Sequence, residues 1–68
     1  MTDKQILRQA IIALLDDEHG ISNETYYHID LLCLNNGWED VISKVENVNN
    51  RWFLNEDDAE NLKKVLID

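Results

Sequence analysis

Apolar residues recur at helical spacing along four stretches of this chain, punctuated by two glycines and a run of asparagines. The first stretch predicts a helix from Asp3 to His19. Thr2 is placed to cap it, with Gln5 completing a capping box. Leu7, Ala10, Ile11, Leu14 and Leu15 form one broad apolar face, and Ile12 falls on the other side among Gln5, Gln9 and Asp16. Gly20 follows the helix end, where a left-handed conformation suits glycine.

The second stretch predicts a helix from Asn23 to Asn35. Ser22 is its N-cap, and Ile21 with Tyr26 is placed to form a hydrophobic staple. This helix carries two apolar stripes: Tyr26, Ile29, Leu32 and Cys33 on one side, Tyr27, Leu31 and Leu34 roughly opposite. A helix apolar on both sides is either central in its domain or in contact with a partner. Asn35-Asn36-Gly37 breaks it. A third helix is expected from Trp38 to Glu46, burying Trp38, Val41, Ile42 and Val45. Its outer face is Glu39, Asp40, Ser43, Lys44, Glu46 and Asn47.

Asn49-Asn50 suits a two-residue turn, because asparagine tolerates positive φ. Arg51 to Leu54 reads as a strand, which makes a short hairpin. The competing reading is an extended loop with Trp52 and Leu54 plugging the core. A last helix is expected from Glu56 to Ile67. Asn55 caps it, Glu56, Asp57 and Asp58 suit the positive end of its dipole, and Lys63 and Lys64 suit the other end. Ala59, Leu62, Val65 and Leu66 form its apolar face. The expected fold is thus mainly α, a domain of three to four helices over residues 1–68 with one short β-hairpin.

Composition narrows the function classes. A hydrophobic content of 44% is too high for a disordered chain. Cys33 is the sole cysteine, so no internal disulfide forms. A free thiol, no leader-like N-terminus and no apolar run long enough to span a bilayer lead to an expected cytoplasmic location without membrane contact. Fourteen acids face six bases, for a net charge of −8. Such a chain is repelled by nucleic acid and attracted to basic surfaces. Acidity also confers solubility without any partner.

The element order, with its Ile21 segment and the run Asn49-Asn50-Arg51-Trp52-Phe53-Leu54-Asn55-Glu56-Asp57-Asp58, resembles a winged helix-turn-helix domain. That resemblance implies that the third helix is the recognition helix. The chain departs from the family there: its outer face is dominated by acids, whereas recognition helices present Arg, Lys, Asn or Gln. Direct DNA binding is therefore disfavoured, and such a scaffold would serve protein contacts.

No catalytic constellation is legible. His19 follows Asp16-Asp17-Glu18, but adjacent helical residues point in different directions and share one metal poorly. Cys33 reads as a small core residue, Ser22 as a cap and Ser43 as surface. No phosphate-binding glycine loop is present. We expect neither enzymatic activity nor a cofactor.

The expected role is protein binding. Two sets of residues carry it. The acidic set is Asp16, Asp17 and Glu18, then Glu39 and Asp40, then Glu56, Asp57 and Asp58. The apolar set is Ile12, Tyr27, Leu31, Leu34 and Trp52. Acids would imitate phosphates and steer encounter with a basic partner, and apolar residues would adhere. The expected function is an inhibitor or modulator that occludes a basic surface of a nucleic-acid-handling protein, of the kind carried by phages and mobile elements. The alternatives are a winged-helix-like transcriptional regulator, dimeric through the second stripe of helix 2, and an accessory subunit stable only within a larger assembly.

Overall fold

The structure is a computed structural model and describes residues 1–65. Its elements follow the expected order: α1 (Asp3–Leu15), α2 (Asn23–Asn36), α3 (Glu39–Ile42), β1 (Glu46–Val48), β2 (Arg51–Phe53) and α4 (Glu56–Lys63). Among the described residues the domain is mainly helical, with four helices and one antiparallel hairpin.

Local chemistry sets most boundaries. The Thr2 hydroxyl accepts from the Gln5 amide, and the Gln5 side chain accepts from the Thr2 amide, closing the capping box at the start of α1. The Ser22 hydroxyl accepts from the Thr25 amide at the start of α2, and the Asn55 side chain accepts from the Asp58 amide at the start of α4. At the end of α2, Gly37 has φ of 72°, its amide donates to Leu34 O, and the Trp38 amide donates to Cys33 O. This pair of bonds is a Schellman closure, which satisfies the last carbonyls and turns the chain so that Trp38 enters the core.

Two helices are shorter than their patterns predict. α1 stops at Leu15 rather than His19. Asp16, Asp17 and Glu18 oppose the negative end of the dipole, and the Asp17 side chain offers a competing bond by accepting from the His19 amide. α3 ends at Ile42, not Glu46. The Ser43 hydroxyl donates to the Asp40 carbonyl, the amides of Lys44 and Val45 close i→i+3 turns, and Glu46–Val48 extend to pair with β2. Pairing with a neighbouring strand outweighs the weak helical preference of Val45, Asn47 and Val48. The final expected turn, with Leu66 and Ile67, lies outside the described residues, and Val65 is partly solvent-exposed rather than buried.

The hairpin forms as the asparagines predict. Asn49 and Asn50 have φ of 53° and 64°, the two left-handed residues of a tight turn whose twist matches the strands. Asn47 pairs with Trp52, and an isolated bridge joins Ile21 to the same Trp52. Gly20 makes that bridge sterically feasible. It has φ of 68°, and a Cβ there would stand 2.6 Å from the Trp52 carbonyl oxygen. Tyr26 stacks on the Trp52 ring at 3.9 Å, which binds the hairpin to α2.

The core comprises Ile11, Ile12, Leu15, Ile21, Ile29, Cys33, Trp38, Val41, Leu54, Ala59 and Leu62. It corrects the expected orientation of α1. The buried positions are Arg8, Ile11, Ile12 and Leu15, while Leu7, Ala10 and Leu14 face solvent. Ile12, expected at the surface, is fully buried. Apolar residues occupy Ile6, Leu7 and the whole run from Ala10 to Leu15, so periodicity permits more than one orientation. The long-range partners choose between them. Arg8 reaches Asp40, Gln9 reaches the Lys63 carbonyl, and α4 packs against α1.

Candidate partner-binding surfaces

On α2, Ile29 and Cys33 face the core, and Tyr27, Leu31 and Leu34 lie on the opposite side at i, i+4, i+7. They are 60%, 43% and 49% exposed. The second stripe thus belongs to the surface of this chain, not to its core. Glu24 and Asp30 border it on the helix surface, and α2 contains no lysine or arginine.

The other two apolar candidates, Ile12 and Trp52, are less exposed than the stripe. Ile12 is sealed in the core. Trp52 is half-buried, stacks on Tyr26, donates its indole N–H to the Asn23 side chain and pairs with Ile21. Its contacts are within the chain.

The acids divide in the same way. Asp40 accepts both terminal nitrogens of Arg8, at 2.6 and 3.1 Å. Arg8 itself is only 1% exposed. The side-chain hydrogen bonds from Arg8 hold the Asp40 carboxyl below the usual carboxylate range, against a smaller opposing effect of burial. Asp16 is half-buried and accepts from Lys63 Nζ at 2.9 Å. The Asp58 carboxylate accepts from the Asn55 side chain at the α4 cap. Asp17, Glu18, Glu39, Glu56 and Asp57 remain exposed.

Folding joins two acidic groups that are far apart in sequence. Asp16, Asp17 and Glu18 line a cleft of about 360 Å³ together with Asn55 and Glu56, over Phe53 and Leu54. The Leu54 amide donates to the Leu15 carbonyl, which fixes the end of α1 beside the entry to α4. Glu39 and Asp40 are not part of this cleft. Three of the bases meanwhile serve internal contacts: Arg8 on Asp40, Lys63 on Asp16, and Arg51 on the carbonyls of His19 and Gly20.

Sequence reasoning missed two features. One is the buried Arg8 with its long-range partner Asp40; spacing carries no signal for a pair 32 residues apart. The other is the exposed apolar face of α1, whose signal was present in the excess of apolar residues around that helix.

Burial pushes the Cys33 thiol up to about 11, so it is a poor nucleophile in the folded chain. Among the described residues, no three His, Cys, Asp or Glu side chains gather where they could hold a metal ion. Among the same residues, no helix is long and apolar enough to cross a membrane. No protein-family model, no curated protein and no solved structure matches this chain.

Proposed function

We propose that this protein is a small acidic binding protein that inhibits or modulates a nucleic-acid-handling protein by covering a basic surface on it. The observation that carries this reading is the outward stripe of Tyr27, Leu31 and Leu34, bordered by Glu24 and Asp30 on a helix without lysine or arginine, with the His28 ring set edge-on to Tyr27. A tyrosine and two leucines supply adhesive area, with the phenol adding a polar tip. The surrounding acids raise the rate of encounter with a positive partner, a contribution that salt screens. The acidic cleft between the ends of α1 and α4 extends the same negative field.

The test is affinity capture of the tagged protein from a nuclease-treated lysate, followed by kinetics on the purified partner. A stoichiometric partner with a basic surface is expected. Leu31→Asp leaves the far-ultraviolet circular dichroism unchanged and weakens binding by about 2 kcal/mol or more, roughly thirtyfold, as for an interface anchor. A partner bound equally well by Leu31→Asp refutes the assignment of this face.

A second reading, a winged-helix-like regulator, rests on the order of the elements, in which the Ile21 segment lies beside the hairpin through the Ile21–Trp52 bridge. Against DNA contact, α3 is four residues long and presents Glu39 and Asp40. Salt-sensitive binding to a specific duplex at low ionic strength is its decisive test; no shift with genomic fragments eliminates it.

A further inference from the structure

The chain holds eight asparagines, and Asn36 is the one that glycine follows. The amide carbon of an asparagine side chain lies within reach of the backbone nitrogen of the next residue, and joining them closes a five-membered ring. A side chain on the next residue crowds that approach, and glycine has none. In a freely moving chain, Asn36-Gly37 is therefore where the backbone attacks its own side chain most readily.

The fold keeps the two reacting groups apart. Asn36 is the last residue of α2 and is half-buried. Its Nδ2 donates to the Leu32 carbonyl at 2.8 Å, so the side chain leans back along the helix. The Gly37 amide donates to Leu34 O at 3.3 Å, and the Trp38 amide to Cys33 O at 2.8 Å. The attacking nitrogen and the leaving group are thus each held by a carbonyl of α2. The cap itself is at the surface. Gly37 is exposed, and among the described residues a Cβ there would meet nothing within 4 Å. Exposed helix ends open locally at a small cost in free energy.

We propose that Asn36 is a deamidation site that the α2 cap keeps closed and that opens when the last turn of the helix frays. In the open turn, hydroxide removes the Gly37 amide proton and the nitrogen attacks Asn36 Cγ. The N–Cγ bond forms, the Cγ–Nδ2 bond breaks, and Nδ2 takes up a proton and leaves as ammonia. Water then opens the cyclic imide. Attack at Cγ gives an aspartyl product. Attack at the main-chain carbonyl gives an isoaspartyl product, whose backbone runs through the side chain. Water supplies the oxygen gained and ammonia carries off the nitrogen lost.

Both products weaken the cap. The new carboxylate cannot donate to Leu32 O, and it places negative charge at the negative end of the α2 dipole. The isoaspartyl linkage also lengthens the backbone within the Schellman closure and shifts its bonds out of register. Trp38 follows directly, 1% exposed, with Arg8 over its ring. Conversion therefore loosens the seat of Trp38. The change is irreversible and needs no enzyme.

The experiment incubates the full chain in mildly alkaline buffer, with and without urea. Peptide mass spectrometry and chromatography follow the two products. In urea, Asn36 is expected to convert before the other asparagines and to give both forms. Without urea its rate is expected to be lower by about tenfold or more, the factor that about 1.4 kcal/mol of turn closure sets. Gly20→Ala, which strains the fold at the other end of α2, leaves that native rate unchanged. Asn36→Asp unfolds at lower urea than the parent, with tryptophan emission shifted to the red. Another asparagine converting first in urea overturns the site. Equal rates with and without urea overturn closure by the cap. A native rate that rises in Gly20→Ala overturns opening by local fraying. A parental midpoint and emission in Asn36→Asp overturn the consequence for Trp38.

Discussion

Removing the Asp40 carboxylate isolates a buried cation, and the consequence can be worked from the geometry. Arg8 is 1% exposed and its only described acceptors are the two Asp40 oxygens; its Nε has no partner. Breaking a fully buried pair costs about 3–5 kcal/mol, and an exposed pair about 1 kcal/mol or less. The Asp40 side chain is 43% exposed, so water reaches one end of this pair and the expected cost lies between those limits. Asp40→Ala should destabilise the fold by about 2 kcal/mol, a large share of the roughly 3–10 kcal/mol expected for a chain of this length. The melting temperature should fall by about 8–16 °C. Urea unfolding followed by circular dichroism and tryptophan fluorescence measures the effect.

The double variant Arg8→Met with Asp40→Ala supplies the control, because methionine fills the space beside Trp38 without a charge. It should be more stable than Asp40→Ala by itself. A loss below about 0.5 kcal/mol in Asp40→Ala, or additive losses in the double variant, would show that the pair does not hold α1 to α3. A pH signature accompanies it. The hydrogen bonds from Arg8 hold the Asp40 carboxyl below its unfolded value near about 3.9. The stabilisation is therefore complete above that value and is lost as pH falls through the folded one. Asp40→Ala should lack this segment of the acid-unfolding curve.

Further outcomes test the orientation of α1 and the seat of the hairpin. Ile12→Ala should cost about 2–5 kcal/mol in urea unfolding, whereas Leu14→Ala on the exposed face should cost under about 1 kcal/mol; the reverse order would restore the orientation expected from periodicity. Gly20→Ala should cost more than about 1 kcal/mol, since it combines a positive φ with a Cβ against the Trp52 carbonyl. A neutral effect there would mean that the Ile21–Trp52 bridge is dispensable.

The candidate surfaces were only partly legible. The stripe of Tyr27, Leu31 and Leu34 could be read from spacing, because α2 is apolar on two opposite sides and one of them had to end up outward or shared. Which side faced the core followed from packing against α3 and the hairpin. The acidic clusters were also legible as clusters, but not their fates. Asp40 and Asp16 look like their neighbours in sequence; only folding brings Arg8 and Lys63 to them. Ile12 was misplaced for the same reason. A wheel projection ranks sides of one helix and holds no information on what packs against it.

Local rules are written in adjacent residues, and those the sequence determined by itself. Thr2, Ser22 and Asn55 set helix starts through bonds to amides three residues on. Gly37 sets a stop and Asn49-Asn50 a turn through backbone conformations that few residues adopt. The tertiary structure decided which arc of α1 is buried, where α3 yields to β1, and which charges are neutralised. Each of those choices depends on free energies of contact between residues far apart in the chain, and such contacts leave no periodicity to read.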